Sequence, residues 1–269
     1  LHFTVGKSCF SSRQLADDIY SLTALLSMQV THGKMVVMSV LYPTIIAIET
    51  SSDLASVALL RENQMIWQET PGSQTHSMTV PRMLHALLEQ ANLSLKLCDA
   101  LAFGAGPGSF TGVRTACGLA QGMAFGASLP AAPVVTLLAM AERARLAGAG
   151  NEVLAMLDAR MGEVYWAQYR FDQGWHVVTA PTLSSAAQVV SVGSPAVCGN
   201  GLSQYGDQLN HLNLTRSLPD VIPHASDIAR LGAELFLKGS TVHARDAQPI
   251  YLRNKVALTT LERLAGART

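Results

Sequence analysis

From Thr44 onward the chain breaks into short apolar runs separated by polar turns. Ile45-Ile46-Ala47-Ile48 reads as a buried strand, and Glu49 to Asp53 as a polar turn. Residues 56–60 read as a second strand, Arg61-Glu62-Asn63 as a hairpin turn and residues 64–69 as a third strand. The spacing then changes. Val80, Leu84, Leu87, Leu88 and Ala91 recur at helical intervals, which predicts a helix from near Thr79 with Pro81 tolerated in its first turn. Residues 100–103 form another apolar run. A glycine-dense stretch follows, Gly104-Ala105-Gly106-Pro107-Gly108-Ser109-Phe110-Thr111-Gly112-Val113-Arg114, and leads into a small-residue helix reaching about Gly126. Residues 133–135 predict a short strand, and Thr136 caps a helix through Leu146.

Residues 148–151 read as a boundary, after which strands resume. Residues 153–157 form one ending at Asp158, Met161-Gly162 turns into residues 164–171, and residues 175–179 pair onward. A short strand at 196–198 precedes Gly199-Asn200-Gly201. A final helix at 227–238 is expected to be capped by Ser226 and closed by Gly239, with Ile228, Leu231 and Leu235 on one face. Strand-rich blocks that alternate with helices and occur twice predict a duplicated α/β fold with mixed sheets, although no repeat shows at the residue level. The expected division is a lobe at 43–148, with the helix at 226–239 near the lobe junction, and a smaller lobe at 149–256. Residues 257–269 are a tail. Residues 1–42 lack a clean period and are expected to be an extension outside the fold, with Met35 and Met38 as candidate starts.

Charge narrows the function classes. Lys plus Arg and Asp plus Glu each number 19, so no global basic signature marks a nucleic-acid binder, and weak binding of nucleic acid by this chain alone is expected. The cysteines at 9, 98, 117 and 198 match no zinc spacing and read as scattered thiols. Residues 115–141 carry no charge, but Gly118, Gly122, Gly126, Pro130 and Pro133 break them up, so no membrane span is expected. No secretory signal is evident, since Asp17 and Asp18 stand where positive charge is required.

The glycine loop follows a strand and opens a helix, a place where backbone N–H groups can meet a phosphate. It lacks the Lys of a P-loop, and Ser109 stands where a dinucleotide fingerprint needs Gly or Ala. Two readings stay open: a phosphate contact through Gly106, Gly108, Ser109 and Thr111, or a tight turn packed on its neighbour. In the helix beyond it, Gly118, Gly122 and Gly126 form one row, and Ala116, Ala120 and Ala124 the next. A helix this poor in polar positions is buried either in its own chain or against a second protein, and the second is favoured. No two histidines stand at metal-binding spacing, and no G-x-S-x-G elbow exists, so neither a metal site nor a catalytic residue is assigned. Glu49 and Asp158, each at a strand end, are the carboxylates that would hold Mg²⁺ in a phosphotransferase, but no cationic phosphate clamp accompanies them.

Four stretches taken together resemble the TsaB (YeaZ) family: residues 45–50, residues 106–114, residues 158–165 (Asp-Ala-Arg-Met-Gly-Glu-Val-Tyr) and residues 249–253 (Pro-Ile-Tyr-Leu-Arg). The resemblance covers about residues 43–256. It implies a two-lobed fold of the actin/Hsp70/sugar-kinase (ASKHA) kind. It also implies a subunit without chemistry of its own that supports a catalytic paralogue, TsaD, in placing threonylcarbamoyl on the adenosine beside the anticodon of tRNAs reading codons that begin with A. An ATPase, TsaE, joins them. The expected setting is cytoplasmic, with tRNA held only through the complex, a homodimer when alone, no tightly bound cofactor, and ATP or ADP at or near a subunit interface. The family commonly has Asp where Glu49 stands. Its first two long helices carry the dimer and TsaD contacts, and helical spacing then selects Arg82, His85, Ala86, Arg114, Gly118 and Gly122 as interface positions. The competing functions are an active ATP-dependent phosphotransferase of the same fold and, with less residue support, a peptidase.

Overall fold

The computed structural model describes residues 4–8, 42–71 and 76–253. The first sheet holds β1 (Thr4–Ser8), β2 (Ile45–Glu49), β3 (Leu54–Arg61), β4 (Gln64–Pro71), β5 (Ala100–Gly106) and β6 (Ala131–Val135). Their order is β1-β4-β3-β2-β5-β6. The second sheet holds β7 (Glu152–Asp158), β8 (Glu163–Phe171), β9 (Trp175–Ser185), β10 (Ala196–Cys198) and β11 (Ser217–Leu218), in the order β11-β10-β7-β8-β9. The two orders share one plan. An antiparallel meander (β4-β3-β2, then β9-β8-β7) is extended by two parallel strands (β5-β6, then β10-β11). The duplication that no residue-level repeat announces is written in the topology.

Helices α1 (His76–Gln90), α2 (Phe110–Ala127), α3 (Thr136–Leu146), α4 (Gly201–Tyr205) and α5 (Ala225–Leu237) complete the lobes. Strand β2 is buried along its whole length, which is why it reads as an unbroken apolar run. Its Ile46 and Ile48 face α1 and α2, where Val80, Met83, Leu84, Leu87, Ala116, Ala120 and Ala124 close one core. Its Ile45 and Ala47 face α5, which packs Ile228, Ala229 and Leu231 over them. A Cβ on Gly232 would lie 2.5 Å from that of Ala102, so glycine lets α5 approach the sheet closely. Each fully buried Ile or Leu contributes roughly 1.5–3 kcal/mol.

The two inter-lobe helices are exchanged. Helix α3 follows the last strand of the first sheet but covers the second sheet, packing Leu137, Met140, Ala141 and Ala144 on Val153, Ala155 and Tyr169. Helix α5 follows the last strand of the second sheet but covers the first. Between them lies a polar seam. Arg143 Nε donates to Asp227 Oδ2 at 2.7 Å and its Nη2 to Ser226 Oγ at 3.0 Å. Glu142 accepts two bonds from Arg145 and a third from Trp175 Nε1 at 2.9 Å. In the second lobe the counterparts of α1 and α2 shrink to a 3₁₀ turn (Ala186–Gln188) and the short α4.

Several local expectations are corrected. Helix α1 begins at His76, three residues before the predicted start, with the Thr79 hydroxyl donating to the His76 carbonyl. Thr136 is the first residue of α3 and not its cap, because its hydroxyl instead accepts the Gly106 N–H at 3.1 Å. The cap of α5 is His224, not Ser226: Nδ1 accepts the Ser226 N–H at 3.1 Å. Strand β9 continues to Ser185, six residues past the predicted end. Thr4–Ser8, expected outside the fold, pairs antiparallel with β4, Thr4 opposite Glu69. The expectations for residues 9–41, including Met35 and Met38, and for the 257–269 tail lie outside the described residues. Cys98, Cys117 and Cys198 are buried free thiols, and burial pushes Cys98 up to about 11. No helix among the described residues is long and apolar enough to cross a membrane.

His224 makes the fold sensitive to acid. Burial first, then the Arg143 guanidinium, push its imidazole down from 6.5 to about 3. Glu69 at 3.2 Å pulls the other way, but its side chain is 31% exposed and screened, while Nδ1 must stay unprotonated to accept the Ser226 N–H. The unfolded chain therefore binds a proton that the folded chain refuses. The stabilisation is complete above the ordinary imidazole value and is lost as pH falls from there toward the folded one, by up to about 1.4 kcal/mol per pH unit. Urea midpoints at about pH 7 and about pH 5 should show this loss, and His224→Asn, a neutral acceptor at the cap, should flatten it.

Candidate functional site

Three of the four stretches that carry the resemblance, and the turn that follows the first, converge on one inter-lobe cleft of about 350 Å³. Ser51, Ser52 and Asp53 from the β2–β3 turn form one wall together with Pro107, Gly108, Ser109 and Phe110. Asp158, Ala159, Arg160 and Met161, with Tyr165 and Asn200, form the opposite wall, and residues 250–253 close the side.

The glycine loop is built for close backbone approach. A Cβ on Gly108 would lie 2.6 Å from that of Ser51, and one on Gly112 would overlap the Thr50 carbonyl. Ser109 N–H donates to the Ser51 carbonyl at 2.7 Å, Gly112 N–H to Ser109 Oγ, and Gly106 N–H to Thr136. Of the four candidate phosphate residues, the structure brings Gly108 and Ser109 to the cleft wall. Gly106 and Thr111 do not line it. The N–H groups of Gly106, Ser109 and Gly112 are committed internally, as a packed turn requires.

The two carboxylates are separated in role. Asp158 lines the cleft, but it accepts from the Arg160 N–H at 2.8 Å and the Tyr205 hydroxyl at 3.0 Å, and pairs with the Arg160 guanidinium at 3.2 Å. Glu49 does not line the cleft. Its Oε2 fills the space that a Cβ on Gly104 would need, and Oε1 accepts the Ser51 N–H. Burial raises its pKa, partly offset by its hydrogen bonds to Ser51 and Thr50. Oε2 has no hydrogen-bond partner among the described residues. The pair does not fit a Mg²⁺ site across the cleft, and among the described residues no group of three or more His, Cys, Asp or Glu side chains could hold a metal.

On the outer surface, α1 and α2 lie side by side. Arg82, His85, Arg114, Gly118 and Gly122 are exposed and Ala86 is half-buried. The small-residue helix divides cleanly: Ala116, Ala120 and Ala124 are buried, while a Cβ on Gly118, Gly122 or Gly126 would meet nothing within 4 Å. Gln121 is tied to the Ala247 carbonyl at 2.7 Å. Beside the open glycine row stands Phe125 at 78% exposed, and Met78 on α1 is 58% exposed. Arg114 stacks 3.6 Å over the Phe110 ring and donates to the Tyr251 hydroxyl at 2.7 Å. No spacing signal marks the parts played by Tyr251 and Arg253, since their partners lie 90 or more residues away. Their motif was the one clue.

Residues 70–232 match the family model described as TsaD: tRNA N6-adenosine threonylcarbamoyltransferase. The protein of Escherichia coli (strain K12) named tRNA threonylcarbamoyladenosine biosynthesis protein TsaB is 37% identical over 221 residues, which cover 79% of this chain and 96% of that one. The protein of the same name from Haemophilus influenzae is 37% identical over 236 residues, covering 83% and 98%. Among solved structures, YeaZ from Pseudomonas aeruginosa superposes with a TM-score of 0.73 at 32% identity, over 78% of this chain and 100% of that one.

Proposed function

This chain belongs to the TsaB (YeaZ) family, and from that premise we propose that it serves tRNA threonylcarbamoyladenosine biosynthesis as a non-catalytic partner of a TsaD-like paralogue. The observation that carries this reading is the open glycine row of α2 with exposed Phe125 beside it. An interior glycine costs about 1 kcal/mol against alanine in a helix. A row of them facing outward is a burden to the isolated chain and lets a partner helix come close. The committed state of Asp158 and the sealed position of Glu49 support a subunit whose cleft does no chemistry.

In this reading the chain pairs with itself when alone and exchanges that copy for the paralogue. A TsaE-like ATPase joins the assembly, ATP or ADP sits at or near a subunit interface, and tRNA is held in the cytoplasm through the complex. The test is light scattering on a sizing column, with the protein alone and then mixed with its TsaD-like paralogue. Gly122→Arg projects a long side chain from a site with nothing nearby, so the circular dichroism spectrum should be unchanged while association is lost. A wild-type monomer indifferent to the paralogue would sink the proposal. Tight binding of Mg-ATP to the isolated chain would favour the phosphotransferase reading instead.

A further inference from the structure

We propose that residues 249–253 form a latch that holds the two lobes closed across the cleft. The strap is anchored on the first lobe by backbone and ring. Ile250 N–H donates to the Ala105 carbonyl at 2.7 Å, next to the glycine loop. The Tyr251 hydroxyl accepts from Arg114, and its ring lies 6.1 Å from that of Phe110. Two residues further on, Arg253 reaches the second lobe. Its Nη2 donates to the Ala159 carbonyl at 3.0 Å and to the Glu163 carboxylate, and its Nη1 lies 3.1 Å from Met161 Sδ. Ala159 and Met161 belong to the β7–β8 turn, which is also the cleft wall, and Glu163 is the first residue of β8 beside it. The guanidinium is shielded, with a side-chain exposure of 16%, so its bond to Glu163 is screened less than a surface pair would be.

The turn that Arg253 grips is under backbone strain. Arg160, Met161 and Gly162 have φ of 63°, 58° and 76°, three successive left-handed residues of which two carry side chains. L residues visit this region at a cost, and such a turn persists where its surroundings hold it. The fork of Arg253 supplies that hold from outside, beside the turn's own bond from the Glu163 N–H to the Arg160 carbonyl. When Arg253 lets go, the turn relaxes and the wall from Asp158 to Met161 withdraws from Ser109 and Phe110. A planar guanidinium suits this task because it serves a carbonyl and a carboxylate at once, which a lysine ammonium on a flexible stem does less well.

The test is hydrogen–deuterium exchange followed by mass spectrometry on the full chain. In Arg253→Ala, amides of residues 157–165 and 250–252 should exchange about tenfold faster or more, the scale expected for one lost hydrogen bond to a charged group. Amides of β2 and α5 should keep their wild-type rates. Glu163→Gln, which keeps the shape and drops the charge, should give a smaller acceleration confined to the same segments, and Arg253→Lys should restore protection only in part. Unchanged exchange at 157–165 in Arg253→Ala would overturn the latch. So would an acceleration spread evenly over the chain, since that would mark general destabilisation.

Discussion

Alanine at Gly112 is expected to destabilise the protein by about 3 kcal/mol or more, seen as a fall in the urea midpoint. The added Cβ would overlap the Thr50 carbonyl oxygen, a backbone atom that cannot swing aside. Relieving the overlap means moving the start of α2 away from the β2–β3 turn. That breaks the 2.7 Å bond from the Thr50 hydroxyl to the Gly112 carbonyl and the 2.7 Å bond from Ser109 N–H to the Ser51 carbonyl, the second of them at the cleft wall. The matched control is Gly118→Ala, six residues along the same helix, where nothing lies within 4 Å. There the substitution should stabilise the isolated chain by about 1 kcal/mol, because only the helix-propensity gain remains. Effects of the same sign at both positions would contradict the close approach at Gly112.

Removing Arg143 should cost about 3 kcal/mol, at the lower end for a broken buried pair because its own side chain is 35% exposed. The damage lies in what is left behind. Asp227, with its side chain 4% exposed, would keep Ser226, the start of α5 and the weaker influence of Arg230 but lose the main cation that offsets its burial. Burial already raises the Asp227 pKa, and loss of Arg143 raises it further. The folded state then holds a proton that the unfolded state does not, so the deficit of Arg143→Ala should narrow as pH falls toward the ordinary aspartate value. Adding Asp227→Asn should recover part of the loss near neutral pH. A double variant no better than the single one would mean that the seam stabilises through Arg143 packing and not through charge.

What could be read in the sequence, and what could not, follows from the range of the forces involved. Strands such as Ile45–Glu49 and Glu152–Asp158 are legible because burial on both faces demands an unbroken apolar run. The cap of α5 is not, because local rules rank Ser226 above His224, and the choice was made by Glu69 and Arg143 from distant parts of the chain. Strand β11 has two residues and α4 five, too few to show any period. The two rows of α2 look alike on paper, since alanine and glycine are both small. Only their rotation about the helix axis, set by the sheet beneath, separates the buried row from the open one. The glycine loop was legible as a close approach but not in its object, which proved to be the Thr50–Ser51 backbone. That Glu49 would lie outside the cleft depended on the missing side chain of Gly104, which no carboxylate spacing reveals.

The exchange of α3 and α5 between the sheets also governs how this chain is born. On the ribosome the first sheet is complete once β6 has emerged, yet the face carrying Ile45, Ala47 and Ala102 has no cover until residues 225–237 follow. At translation rates of about 5–20 residues per second that apolar face waits for several seconds or longer, while α3 waits for its own sheet to be made. A fragment that ends at the lobe boundary lacks the helix that covers this face, so burial of Ile45, Ala47 and Ala102 waits on the second half of the chain.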